Sequence, residues 1–460
     1  MRGGRALPSC YLSADMSGAK RPPTPDGVPL LGHGLAFSRD PFDALSEWAD
    51  EGEVVQLEFP GQSLYMVTEP ELIQQVLVEN HDAFTIGRQQ RETFDGIEDD
   101  AVTATTGDRW RRLRTGLHPA FTWDGIRSFG DGMAERTAAH VTRWEDGDRL
   151  DLLAEMRTLT LHLLADTLLG VDVEGDEDVV TDAADALVAR ADPRRFGTLL
   201  PGWIPTPTER RFDRAVGRLD DYVADVLADR SSGEEGDRDE PNGHDDVCSV
   251  LLAARERGDL STAEVQDNLT ALLLAGHDSS AVTLTYAWYE LSRHPEVRES
   301  LADEVEAVIG DGLPGADDFE DLGRTRHVVR ETLRLYPPAW AVNREATEAV
   351  TLGGYEIPSG AQVMMPQWVV HRDSRWWDDP ETFDPSRWGS EVRRTSNASG
   401  ERSEPRGDDG ESSRSRRLGR GAADVHAIAV VAARDRHRGD GSADGVMGYT
   451  SSTRPTVPHD

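Results

Sequence analysis

Leu272-Leu273-Leu274-Ala275-Gly276-His277-Asp278-Ser279-Ser280-Ala281-Val282-Thr283-Leu284 is the stretch whose reading decides the fold. An aliphatic run gives way to two small residues, then to a histidine, an acid and two hydroxyls, and then turns apolar again. A helix that buries such a run must find a partner for each polar group, because an unpaired one is costly. Two readings stay open on these residues alone: a helix with one wet face, or a buried helix whose polar residues carry chemistry. Upstream, Ser261 and Glu264 have the spacing of a capping box. Downstream, His294-Pro295 stops the helix. That predicts about 30 helical residues, roughly 45 Å at 1.5 Å per residue, enough to cross a whole domain.

Working outward, Arg21 to Leu31 is punctuated by prolines and reads as an extended lead-in. Pro41 to Asp50 reads as a short amphipathic helix. Val54 to Glu58 and Ser63 to Val67 alternate like two strands around a Pro60-Gly61 turn, and Pro70 to Asn80 reads as a second helix. In Asp108 to Phe121, Trp110 and Arg114 are four apart and share a helix face. An aromatic ring and a guanidinium together suit a planar anionic ligand; an ordinary surface helix is the bland reading. Residues 133–230 carry helical periodicity almost throughout, and Ser231 to Asp246 reads as a linker rich in Gly, Ser and acid. Glu331 and Arg334 lie one turn apart in an apolar helix that ends at Pro337-Pro338, which favours burial over a solvated surface bridge. Short strands follow around Gly353-Gly354 and Val363 to Met365, then His371-Arg372-Asp373 and a tryptophan-rich segment, Trp376 to Trp388. The fold class expected is mainly α with small β-sheets.

Composition narrows the partners. The chain of 460 residues has 85 acids against 49 bases, a net charge of −36, and Lys20 is its only lysine. Phosphate backbones are bound by clustered Lys and Arg, so this balance argues against nucleic acid. It suits a protein kept soluble by self-repelling surface charge in a salty, halophilic cytoplasm. The two cysteines, Cys10 and Cys248, build neither a disulfide framework nor a zinc site. No window approaches the ~18 apolar residues of a membrane span, and Met1 to Asp15 lacks the apolar core of a secretory signal. The expected organisation is a disordered leader over 1–22, one folded domain over 23–388, and a tail over 389–460. In that tail Tyr449 is the only aromatic, and its composition reads as disordered.

With these residues in place, the chain resembles the haem-thiolate monooxygenases of the cytochrome P450 superfamily from about Pro23 to Trp388. Ala275-Gly276-His277-Asp278-Ser279 resembles the oxygen-binding motif of that family, and Glu331-x-x-Arg334 its Glu-x-x-Arg helix. Phe383 to Trp388 resembles the segment supplying the third member of a Glu-Arg-Arg triad, here Arg387. Trp110-x-x-x-Arg114 resembles its haem-propionate helix. The resemblance implies haem b, with Trp110, Arg114, Arg344 and His371 at the propionates, which Arg pairs with well where water is excluded. It implies that Gly276 gives a flat macrocycle close approach and that the Ser279 hydroxyl opens the helix locally. Asp278 and Ser279 would then relay protons to dioxygen. The family's usual alcohol is Thr; Ser279 keeps the hydroxyl and loses the methyl. Glu331, Arg334 and Arg387 would be structural. The implied partners are O2, a small apolar organic substrate, and a ferredoxin or flavin reductase as electron donor. Phe84 to Val102 and Arg190 to Pro207 are the expected pocket segments, with Trp203 and Ile204 as candidate wall or plain core residues.

One element of the family is missing. Its iron is held by a Cys thiolate in a Phe-x-x-Gly-x-x-x-Cys-x-Gly loop beyond the position of Trp388, and the thiolate favours O–O cleavage. No cysteine follows Cys248, so the metal ligand set is empty. Back-translating Gly419 to Val425 and reading one base downstream permits Gly-Gly-Gly-Pro-Arg-Thr-Cys, the middle of such a loop. The ends do not fit: Leu418 cannot encode the leading Phe, nor Ala427 and Ile428 the closing Gly. These observations lead to the expectation that residues from about Ser390 onward are out-of-frame translation. Two further readings are a haem-free acidic helical binding protein on a degenerate scaffold and a haem protein with His371 as ligand.

Overall fold

The computed structural model describes residues 20–97, 100–192, 206–232 and 246–389. The tail from 390, most of the leader, Trp203 and Ile204 lie outside the described residues, and so do the expectations placed on them. The chain divides into two compact units: residues up to Gly87 with Asn343–Pro366, and Arg88–Val342 with the residues from Gln367 onward.

The first unit is built on a sheet. Helices α1 (Gly34–Arg39) and α2 (Pro41–Ala49) lead into strands β1 (Val54–Phe59) and β2 (Gln62–Val67), then helix α3 (Pro70–Gln74) and strand β3 (Phe84–Ile86). After the second unit come β4 (Val342–Ala346), β5 (Val350–Leu352), β6 (Tyr355–Ile357) and β7 (Gln362–Met365). Five strands form one sheet in the order β1-β2-β7-β4-β3, and β5 pairs with β6. The β1–β2 hairpin pairs Val54 with Val67 and Phe59 with Gln62 across a turn closed by Gly61 at φ 82°. Gly353 and Gly354, both at positive φ, supply the two-residue turn of β5–β6 that other residues resist. The helix expected from Pro70 to Asn80 is α only as far as Gln74; Gln75–Glu79 winds wider, and Asn80 N–H donates to Gln75 O at 2.8 Å.

The second unit is helical: α4 (Arg88–Phe94), α5 (Gly107–Leu117), α6 (Trp123–Val141), α7 (Leu152–Leu164), α8 (Glu177–Ala191), α9 (Pro207–Ser232), α10 (Val247–Glu256), α11 (Thr262–Arg293), α12 (Pro295–Val308), α13 (Gly323–Leu335) and α14 (Gln367–Val370), with a 3-10 turn at Pro385–Gly389. Helix α11 spans 32 residues from the Ser261–Glu264 capping box, where both reciprocal hydrogen bonds form. It buries Val265, Leu269, Leu273, Ala281, Leu284 and Leu291, each buried Leu contributing about 1.5–3 kcal/mol. The fold is therefore mainly α with small sheets.

Candidate active site on α11 and the buried carboxylate beneath α13

Helix α11 packs most extensively against α7. A side chain on Gly276 would meet Leu164 of α7 at 3.0 Å. Gly276 thus lets these two helices approach each other. Helix α11 also stays regular through this stretch. The Ser279 hydroxyl donates to Ala275 O at 2.6 Å, one turn back. It adds a bond to an intact ladder and does not open the helix as expected.

The polar residues of the stretch face different neighbours. His277 is buried; its backbone carbonyl accepts from the Thr160 hydroxyl at 3.2 Å, and burial lowers its pKa to about 4, leaving the ring neutral. Asp278 is half-buried and turned to α7, where Arg157 Nε donates to its Oδ1 at 2.9 Å and Nη2 lies 2.7 Å from it. Arg157 also reaches Asp185 of α8 at 3.4 Å. Among the described residues Asp278 Oδ2 has no hydrogen-bond partner. Ala275, one turn before Ser279, is exposed. The stretch therefore presents a small exposed residue, a hydroxyl and a carboxylate with one free oxygen within a turn of each other. Such a set can hold and pass a proton.

Sequence reasoning missed Arg157. Its only local signal was a cation in the mostly apolar Leu152–Leu164 helix, and 121 residues separate it from Asp278. It also missed how α5 is fixed. Arg112 forks onto Glu264, Nη1 to Oε2 at 2.9 Å and Nη2 to Oε1 at 2.5 Å, and Ser261 N–H adds a bond, so that the Arg112 bonds above all hold this carboxyl down at about 2. The capping carboxylate of α11 is thereby also the anchor of α5.

On α5, Trp110 is exposed and Arg114 half-buried. The Arg114 guanidinium makes no hydrogen bond or ion pair among the described residues. In the first unit, Arg344 lies on β4 opposite Ile86, and Nη1 donates to Asn343 O at 2.9 Å. It has no carboxylate partner there, and burial alone pulls its pKa down. Cations held without counter-ions fit an anionic ligand group, so each of these arginines suits a propionate.

Glu331 and Arg334 of α13 are completely enclosed. The Glu331 carboxylate accepts from Arg334 Nη2 at 2.7 Å and Nε at 3.0 Å, Arg387 Nε at 2.9 Å, Asp384 N at 3.0 Å and Trp388 Nε1 at 3.0 Å. Arg334 places its remaining N–H groups on the carbonyls of His371, Pro380 and Thr382. All five guanidinium protons are used, which is the condition for a buried ion pair to be tolerable. His371 belongs to this cluster: its Nδ1 lies 3.2 Å from Arg334 O, its ring meets Trp377 edge-on, and burial lowers its pKa. With Nδ1–H directed at a carbonyl, the neutral ring has no N–H left on Nε2 for a carboxylate.

The fold and these two clusters define a class of protein. A family model for cytochrome P450 matches residues 22–401. The chain belongs to the cytochrome P450 family, whose members are haem-dependent monooxygenases using O2, an organic substrate and an electron donor. It is 32% identical over 369 residues to cyclooctatin synthase of Streptomyces melanosporofaciens, with 79% of each chain covered. It is likewise 32% identical over 375 residues to cyclooctat-9-en-7-ol 5-monooxygenase of the same organism, covering 79% of this chain and 78% of that one. To pentalenene oxygenase of Streptomyces avermitilis it is 29% identical over 367 residues, covering 79% and 80%.

The family's cofactor is haem b, whose propionates call for cations without counter-ions. Within the second unit Arg114 is such a cation. The iron end is not met: the only described thiol, Cys248, is buried in α10 among apolar side chains, and burial raises it to about 11. A thiol so placed is neither ionised nor reachable. No helix among the described residues is long and apolar enough to cross a membrane.

Proposed function

We propose that this chain is the scaffold of a cytoplasmic P450-type monooxygenase that inserts one oxygen atom of O2 into a small apolar organic substrate. The observation that carries this reading is the Ala275–Ser279 segment, with its exposed Ala275, its Ser279 hydroxyl and its Arg157-held Asp278. Haem, when bound, supplies the iron at which dioxygen is activated. Arg114, a cation of the second unit left without a counter-ion among the described residues, would pair with a propionate. Asp278 Oδ2 takes up a proton, while Arg157 on Oδ1 keeps the carboxylate turned. Ser279 Oγ, anchored on Ala275 O, passes a proton along the exposed face of α11. Glu331, Arg334 and Arg387 brace the segment from His371 to Trp388 that leads to the ligand loop of the family. Electrons come from a ferredoxin or a flavin reductase. The relatives' names refer to pentalenene, an alkene, and to an alkenol, which supports the apolar substrate class.

With no cysteine after Cys248, the proposal includes that this sequence is inactive as a thiolate enzyme and that its residues from about Ser390 are out of frame. A carbon monoxide difference spectrum of the reduced protein tests the first part. No thiolate signature is expected; one would overturn the reading, and a histidine-type spectrum would point to His371. The nucleotide sequence tests the second. A shifted frame without the Cys codon near Val425, or with a stop before it, removes the frameshift.

A further inference from the structure

The chain carries 85 acids against 49 bases, yet the first three turns of α9 carry a basic stripe, which gives way to Asp221, Asp225 and Asp229 further along the same face. At 100° per residue, Arg210, Arg211, Arg214 and Arg218 of α9 fall within an arc of roughly 100°. All four are exposed. Like charges at i,i+3 and i,i+4 repel, so this arrangement weakens α9 unless something neutralises it. Among the described residues only Asp182 of α8 forms an ion pair with them, lying 2.6 Å from Arg218 and 4.0 Å from Arg211. The Arg214 Nε–H donates to Arg210 O at 2.9 Å; its terminal nitrogens and the whole Arg210 guanidinium have no partner among the described residues. Nearby arginines are served differently. Arg230 pairs with Asp246, and Arg190 with Glu209 while stacking on Phe212.

Asp182, Arg211, Arg214, Ala215 and Arg218 line a groove of about 610 Å³. Three guanidiniums and one carboxylate leave its lining cationic, and the buried Ala215 floor keeps it open between them. Planar forks of N–H donors match the oxygens of phosphate and carboxylate groups two at a time.

We propose that this groove between α8 and α9 is a binding site for a small oxyanionic ligand bearing at least two phosphate or carboxylate charges. Arg214 is the principal donor, and Arg218, already oriented by Asp182, is the second. The site lies apart from the Ala275–Ser279 segment and needs no haem.

Isothermal titration of the full chain with pyrophosphate, and separately with citrate, at fixed ionic strength tests this. Saturable one-to-one binding is expected, weakened at least tenfold by Arg214→Gln and abolished by Arg214→Gln with Arg218→Gln. Arg298→Gln, an exposed arginine on α12, should leave it unchanged, and circular dichroism should show all variants folded. Tighter binding of pyrophosphate assigns a phosphate ligand, and tighter binding of citrate a carboxylate one. Heats equal to those of sodium chloride at the same ionic strength, or equal weakening by Arg298→Gln, would overturn the site.

Discussion

Arg157 on α7 and Asp278 on α11 are joined through a single carboxylate oxygen, Oδ1, at 2.9 Å from Nε and 2.7 Å from Nη2. Both side chains are about 30% exposed, at 30% and 28%, so water screens the pair and its worth is near the upper end for surface bridges. A double-mutant cycle of Arg157→Ala and Asp278→Ala should give a coupling energy of about 1 kcal/mol in urea unfolding. Additive single mutants would show that the contact does not couple the two helices.

The Glu331 cluster should be far less tolerant. Glu331→Gln keeps the volume but leaves Arg334 and Arg387 without a counter-charge in an enclosed site. The expected loss is about 3–5 kcal/mol. Thermal unfolding of the variant, followed by circular dichroism, should move down by many degrees; a shift of only one or two degrees refutes the assignment.

Gly170 ends the α7 region at φ 62°, and a methyl group there would come 1.9 Å from Arg230 Nη2 and 2.4 Å from Asp246 Oδ2. Gly170→Ala therefore combines a left-handed alanine, at about 1–2 kcal/mol, with disruption of a buried ion pair. Denaturant melts should register at least 2 kcal/mol of destabilisation, well beyond a Gly147→Ala control. Gly147 is also at positive φ, 89°, but has open space around it.

Two groups give opposite pH signatures. Burial and the Asp267 carboxylate raise the Asp220 carboxyl to about 6. The folded state therefore holds this proton more tightly than the unfolded chain, and stability from this group rises as pH falls from about 6 to the unfolded value near 4. His277, lowered to about 4 by burial, acts the other way, and stability is lost as pH falls from about 6.5 to 4. Relative to the parent, Asp220→Asn should gain most at pH 7 and least at pH 4. His277→Gln should show its smallest deficit at pH 4. Matching pH profiles for parent and variants would remove both groups from the linkage.

Much of the architecture was legible in the residues because its signals are local. The capping box at Ser261, the Pro295 stop and the apolar repeat between them set α11 to within a residue or two. The Gly353-Gly354 turn and the alternation of Val54 to Val67 did the same for the hairpins. What was illegible was nonlocal. No pattern near Asp278 announces Arg157, no pattern near Glu264 announces Arg112, and none shows that His371 turns towards Arg334.

By itself the sequence determined the class of fold, the ordered motifs of the family and the absence of a cysteine beyond Cys248. Helix periods, caps and turns are properties of neighbouring residues, and a missing thiol is a matter of composition. Only the tertiary structure decided what each motif residue touches. Gly276 faces Leu164, Ser279 bonds back to Ala275 O within a helix that stays regular, and five donors converge on Glu331 from α13 and the segment up to Trp388. Those contacts depend on which helices meet and how closely. That follows from packing side chains across the whole unit, and no window of sequence contains it.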